Sequence, residues 1–139
     1  MAINFIRTDA NLQGPNLCVT FKEAGLGNNL LITYVLSANA TAEYACVNKG
    51  GQHPQASNKE TVSGPVSTTA TFESSRNGQV TGTICVSPPQ PGNFSCPPGQ
   101  QLVLVSVTYN TVTLTDTTNQ VSIGISGTFS DTFVFLANP

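Results

Sequence analysis

Residues 101–136, QLVLVSVTYNTVTLTDTTNQVSIGISGTFSDTFVFL, provide the longest run of alternating side chains in the chain. Apolar residues at every second position, many of them β-branched or aromatic, indicate a strand with one buried face. The odd-numbered positions 103–109 form one such face, and odd-numbered positions 121–135 form another. The polar residues 116–119 between them predict a turn. We therefore expect two long paired strands that supply the largest part of the core.

This pair carries two irregularities. The apolar residues change from odd to even positions at Asn110-Thr111, which predicts a β-bulge there. Asp131 falls between Phe129 and Phe133 on the inward parity. Either a bulge or a strand end turns Asp131 outward, or it is a buried carboxylate with a partner; we favour the first interpretation.

The composition indicates one folded β domain over residues 1–139. Only 9% of the residues are charged and the net charge is −2, while Ser, Thr, Asn and Gln are abundant, as in a β protein with hydroxyl-rich outer faces. The five cations are scattered along the sequence, so no basic field favours a nucleic acid or an anionic membrane as partner. No apolar run is long enough to predict a membrane span.

Turn signals at regular spacing, without helical periodicity, predict an all-β fold. We expect a two-sheet antiparallel β-sandwich, immunoglobulin-like or jelly-roll-like, with about eight strands. Residues 29–37 and 41–48 are predicted as separate strands, and 49–60 and 88–99 as loops. Residues 66–74 and 79–87 are predicted to pair as a hairpin that sets Phe72 opposite Gly82, with Gly78 left-handed at the end of a three-residue loop.

Four cysteines predict two disulfides and an oxidising, extracellular location. No Cys-x-x-Cys pair occurs, so no zinc pattern is present. Cys18 and Cys85 face out of strands that could be neighbours, whereas Cys46 and Cys96 each lie where a strand meets a long loop. We predict Cys18–Cys85 and Cys46–Cys96, with two other connectivities left open. The first two residues, followed directly by a strand-like segment, suggest an expression start in place of a removed leader.

The strand predicted at 29–37 is apolar on both parities, which marks Leu31 and Val35 as a candidate interface. Such a strand is either covered on both faces or exposes a patch for a partner. A second candidate surface is the polar loop 49–60, which could bind a polysaccharide. Its candidate ligand residues are Lys49, Gln52, His53, Gln55 and Asn58.

The sequence predicts no catalytic residue, no metal site and no cofactor. His53 is the only histidine and is interpreted as an exposed loop residue. The carboxylates lie on different predicted elements, so any two could converge in space. The absence of Trp and the core-like positions of at least two of three Tyr weaken the glycosidase and lectin hypotheses. Residues 116–119 offer oxygen ligands for calcium, but a strand turn explains them better.

Asn39 and Asn93 begin Asn-Ala-Thr and Asn-Phe-Ser, which fit the acceptor pattern for N-glycosylation. These sites have a meaning only in a eukaryotic secretory route.

Three segments, FKEAGLG at 21–27, CVNKGG at 46–51 and FSCPPGQ at 94–100, resemble a group of small secreted proteins of soil bacteria and filamentous fungi. The resemblance extends over nearly the whole chain. It implies secretion and a single compact domain, and it implies neither an activity nor a catalytic residue.

Taken together, these patterns favour a secreted, non-catalytic protein that binds itself or another protein. The alternative is a carbohydrate-binding or lectin-like module whose partner is a polysaccharide. A secreted hydrolase is the third hypothesis, with His53 as its candidate base.

Overall fold

The computed structural model describes residues 2–48 and 54–133, with the backbone alone for residues 48 and 54–58. Within these ranges the chain forms two antiparallel sheets and no helix, so the predicted all-β, eight-strand architecture is confirmed. The finer assignment, immunoglobulin-like or jelly-roll-like, stays a prediction. The strands are β1 (Asn4–Gln13), β2 (Asn16–Ala24), β3 (Leu31–Asn48), β4 (Pro54–Glu73), β5 (Val80–Val86), β6 (Gln100–Asp116), β7 (Val121–Ile125) and β8 (Phe129–Thr132).

The three-stranded sheet has the order β1-β2-β5, and the five-stranded sheet has the order β4-β3-β6-β7 with β8 also paired to β6. Strands β7 and β8 pair with successive parts of β6, residues 112–116 and 106–109. The single strand predicted after the 116–119 turn is therefore wrong: it breaks at residues 126–128, where Gly127 has φ 116°. Glycine permits this angle because it has no Cβ.

The predicted bulge in β6 is confirmed. Ser37 pairs with Thr113 and Asn39 pairs with Asn110, so two residues of β6 stand opposite the single residue Ala38. Thr111 takes up the extra length with φ 53°. Asp131 lies exposed near the end of β8, which confirms the strand-end interpretation and excludes the buried carboxylate.

Two predictions that interrupt strands are wrong: the separation of 29–37 from 41–48, and the loop over the last part of 49–60. Strand β3 runs without interruption from Leu31 to Asn48, with small alanines at positions 38, 40 and 42 facing inward. Residues 54–60, predicted as part of a loop, are the start of β4, whose backbone pairs with β3. Since β3 supplies the backbone hydrogen-bond partners, β4 needs no alternating apolar pattern there.

The predicted turn at Gly78 is correct, but the predicted hairpin is wrong. The Ser75 N–H donates to the Gln79 carbonyl (2.8 Å), and Gly78 has φ 72°. Strands β4 and β5 then enter different sheets instead of pairing with each other. Phe72 still meets Gly82, across the interior: a Cβ added to Gly82 would lie 2.8 Å from Phe72 Cε1. The predicted contact between Phe72 and Gly82 is therefore present, but it lies between the facing sheets and not between paired strands.

Aromatic rings fill one end of the interior. The Phe21 ring centroid lies 4.6 Å from that of Tyr34 and 5.7 Å from that of Phe72. Phe5 packs against Phe21 at 6.1 Å in an edge-on arrangement. Such contacts add to the stabilisation that comes from buried area alone. The remaining fully buried large side chains include Leu17, Ile32, Leu36, Tyr109 and Leu114.

Both predicted disulfides are confirmed. Cys18 and Cys85 are direct cross-strand partners in β2 and β5, with Cα atoms 4.0 Å apart. The second bridge, Cys46–Cys96, ties β3 to the proline-rich segment between β5 and β6. The Tyr44 hydroxyl donates to the Pro89 carbonyl in the same segment (2.7 Å). This segment thus lies against the part of the five-stranded sheet that contains Tyr44 and Cys46.

Candidate functional site

The outer face of the five-stranded sheet exposes apolar side chains at one corner. Leu31 is 69% exposed and the neighbouring Leu30 is 50% exposed. Val35 is the second outward residue of β3 after Leu31. It is partly buried between its two cross-strand partners, Thr69 in β4 and Thr115 in β6. We call the exposed side chains of Leu30 and Leu31, together with the outward side chains of Val35, Thr69 and Thr71, the Leu31 corner. The strand predicted to be apolar on both faces therefore exposes one of them here.

Hydrogen bonds hold the backbone beneath this corner. The Leu30 N–H donates to Ser74 Oγ (2.9 Å), and the Ser74 N–H donates to the Leu30 carbonyl (2.8 Å). The Thr117 N–H donates to the Thr33 carbonyl (2.9 Å), which ties the 116–119 turn to β3 between Leu31 and Val35. The exposed leucines thus project from a fixed backbone.

Hydroxyl groups are frequent on the outer face, both at the corner and beyond it. Hydroxyls of cross-strand partners lie 3.0 Å apart in Thr33 and Thr71 and 2.9 Å apart in Thr115 and Ser122. A matching pair, Thr20 and Thr83, lies on the three-stranded sheet at 3.0 Å. These pairs place neutral hydroxyl oxygens next to each other at three cross-strand positions.

The polar loop predicted at 49–60 as a polysaccharide-binding surface is in part a strand. Lys49, Gln52 and His53 lie outside the described residues. Gln55 and Asn58 belong to β4 and not to a loop, so the prediction of a loop at those two positions is wrong.

A buried group of ionisable side chains lies behind the Leu31 corner, where the two sheets meet. Glu23 of β2, Tyr34 of β3 and Asp116 of β6 each have 0% exposure; we call them the Glu23 cluster. The Tyr34 hydroxyl donates to Glu23 Oε1 (2.7 Å). Tyr34 is also the direct cross-strand partner of Asp116. Glu23 Oε2 is buried and has no hydrogen-bond partner among the described residues.

Asp116 is held by the turn that follows it. Its Oδ1 accepts from the Asn119 backbone N–H and its Oδ2 from the Asn119 side-chain amide, both at 2.9 Å. This bears out the interpretation of residues 116–119 as a strand turn. Among the described residues, no group of three or more His, Cys, Asp or Glu side chains could hold a metal ion.

Burial governs the electrostatics of the Glu23 cluster. Loss of solvation raises the pKa of Glu23 from its ordinary 4.5 to about 7. The hydrogen bond from Tyr34 opposes this rise, whereas the nearby Asp116 carboxyl adds to it. Burial, followed by the effect of Glu23, also raises the pKa of Tyr34, so that hydroxyl stays protonated. Two neighbouring carboxyl groups that are both shielded from bulk solvent favour retention of one proton.

The alternation of inward residues in β2 and β6, continued by one more inward position in each strand, leads to the two carboxylates of this cluster. Leu17, Val19 and Phe21 share the inward parity of β2, and the next inward position is Glu23. In β6 the inward positions 112 and 114 are followed in the same way by Asp116. The turn predicted at 116–119 hides the strand position of Asp116, and the sequence predicts only that any two carboxylates could converge in space.

The two candidate glycosylation sites lie outside both the Leu31 corner and the Glu23 cluster. Asn39 is exposed on β3, and Asn93 is exposed in the proline-rich segment. An open depression of about 180 Å³ is lined by Pro15, Leu104 and Phe133, which are apolar side chains without acid–base chemistry. All three tyrosines are buried, as the sequence predicted for at least two.

No family model, curated protein or solved structure matches this chain. Within the part of the chain that is described, no helix has the length and apolar character needed to cross a membrane.

Proposed function

We propose that the protein is a secreted, non-catalytic module that associates with another copy of itself, or with another protein, through the Leu31 corner. The observation that carries this proposal is the 69% exposure of Leu31 on an ordered backbone. An exposed leucine on a mobile loop would lose conformational freedom on binding, whereas this one is already positioned. The two disulfides support secretion, because such bonds persist in oxidising compartments.

The edge of the sheet beside the corner supports the same proposal. Strand β4 is an edge strand of the five-stranded sheet. Its first part contains Lys59 and Pro65, which hinder pairing with another strand. Residues 66–72 contain no proline and no charge, and Glu73, opposite Leu31, gives the patch a charged rim. An apolar centre with a polar rim is the usual anatomy of a protein interface.

Replacing Leu31 by Asp tests the proposal. We expect the concentration at which the oxidised protein is half associated to rise about tenfold or more, because association would bury an unpaired carboxylate. Light scattering over a wide concentration range measures this change. The matched control is Ile6→Asp, since Ile6 is 50% exposed but lies on β1 in the other sheet. Equal association by the wild type and a folded Leu31→Asp variant would rule out this surface.

A second candidate function is polysaccharide binding by the outer face of the five-stranded sheet. The fixed hydroxyl pairs, such as Thr33 with Thr71, favour it because ordered neutral donors and acceptors suit the hydroxyl groups of sugars. This candidate becomes the leading one if the wild-type protein is monomeric at every concentration and finds no protein partner.

For this candidate we expect retention on an insoluble polysaccharide such as cellulose or chitin, and a several-fold loss of retention in a Thr33→Val/Thr71→Val variant. The control is Thr20→Val/Thr83→Val, which removes an equivalent hydroxyl pair from the opposite sheet. Equal losses in both variants, or no retention of the wild type, would count against binding by this face.

A further inference from the structure

We propose that Glu23 and Asp116 share one buried proton that holds the two sheets together, and that the fold weakens when this proton is lost. Glu23 belongs to the three-stranded sheet and Asp116 to the five-stranded sheet. Both are fully buried, and Tyr34 links them: its hydroxyl donates to Glu23 Oε1 (2.7 Å), and it is the direct cross-strand partner of Asp116. The proposal concerns the fold's response to pH and does not depend on the proposed function.

The unpartnered oxygen supports this arrangement. Glu23 Oε1 already accepts from Tyr34, and both Asp116 oxygens already accept from Asn119. Glu23 Oε2 is the remaining buried atom without a partner among the described residues. A buried polar atom without a partner is costly. A proton on Oε2 turns it into a donor that can bond the Asp116 carboxylate, which satisfies both side chains.

Among the described residues, no cation compensates the charge of Glu23. The cross-strand partners of Glu23 are Phe5 in β1 and Val80 in β5, which are apolar. From β3 and β6, the groups that influence it are Tyr34 and Asp116, and none of the described cations contributes. Two ionised carboxylates here would repel each other in a dry site without compensation.

The direction of the pH effect follows from the raised pKa of Glu23. The folded state holds the proton more tightly than the unfolded state, whose Glu has the ordinary value of 4.5. The stabilisation is therefore complete below about pH 4.5 and is lost as the pH rises through about 7. Loss of this stabilisation should raise the unfolding equilibrium constant roughly 100-fold between these two pH values.

The test is a comparison of wild type with Glu23→Gln by denaturant unfolding at about pH 5 and about pH 9. The Gln amide keeps the acceptor for Tyr34 and supplies a permanent donor to Asp116, so it mimics protonated Glu. We expect similar stability at the lower pH and an unfolding constant roughly 100-fold smaller for Glu23→Gln at the higher pH. The exposed Glu60→Gln is the control and should follow the wild type.

A direct titration of the wild type tests the proposal even if Glu23→Gln does not fold. Carboxyl carbon NMR of the wild type should show one Glu side chain that titrates near neutrality. Titration of every Glu in the ordinary acidic range would overturn the proposal, as would identical pH profiles for wild type and Glu23→Gln. Recovery of the lost stability at high pH by added calcium alone would also overturn it, because the pair would then bind a cation and not a proton.

Discussion

Truncating Phe21 to Ala is expected to lower the free energy of unfolding by about 3–5 kcal/mol. Phe21 has 0% exposure, and its ring contacts those of Phe5, Tyr34 and Phe72 from three different strands. Removing it leaves a cavity between two sheets, which cannot close without moving both of them. Urea unfolding at fixed pH, followed by fluorescence of the tyrosines or by circular dichroism, measures the change.

The matched control is Phe94→Ala. Phe94 lies in the proline-rich segment and is only partly buried, so we expect a loss below about 1 kcal/mol. Equal losses for the two variants would mean that the aromatic cluster is not the centre of the core.

Removing the Cys18–Cys85 bridge with a Cys18→Ala/Cys85→Ala variant is expected to cost about 4 kcal/mol. The two residues are 67 positions apart in sequence, so the bridge greatly restricts the unfolded chain. A loss of this size is a large part of the total stability of an ordinary domain. Thermal and urea unfolding of the folded, oxidised variant measure the loss; a change below about 1 kcal/mol would show that the unfolded state is not controlled by this loop.

The second bridge spans 50 positions, so its removal should cost a similar free energy of unfolding, but it should have a local effect as well. Removing Cys46–Cys96 should release the segment at 87–99 locally, because the Tyr44 hydroxyl to Pro89 carbonyl bond is its other described tie to β3. We therefore expect faster proteolytic cleavage within 87–99 in a Cys46→Ala/Cys96→Ala variant than in Cys18→Ala/Cys85→Ala. Cleavage at the same rate in both variants would show that the Cys46–Cys96 bridge has no local effect on this segment.

The Glu23 cluster and the Leu31 corner are connected through one turn. Asp116 of the cluster accepts hydrogen bonds from the exposed Asn119, and the Thr117 N–H of the same turn donates to the Thr33 carbonyl, which lies between Leu31 and Val35 on β3. We therefore expect a change in the charge of the cluster to alter the protection of the Thr117 amide beneath the corner. Measuring hydrogen exchange of the Thr117 amide on either side of neutral pH would show whether the two regions respond together.

Several features were predictable because they depend on local chemistry. The left-handed turn at Gly78 follows from its sequence, and the bulge at Thr111 follows from a change of parity within one strand. The pairing of Cys18 with Cys85 was also predictable, since both face outward on strands with matching inward residues. Each of these inferences needs only the period of a strand and the geometry of a turn.

Other features were decided by contacts that no local pattern records. Phe72 and Gly82 match whether their strands pair side by side or face each other, and only the packing of the two sheets selects the second arrangement. Residues 54–60 are polar, yet they form a strand because β3 offers an unpaired edge. Glu23 and Asp116 are 0% exposed in different sheets. The sequence places each of them one step beyond an apolar face, but only the closure of the two sheets brings both side chains into one buried site.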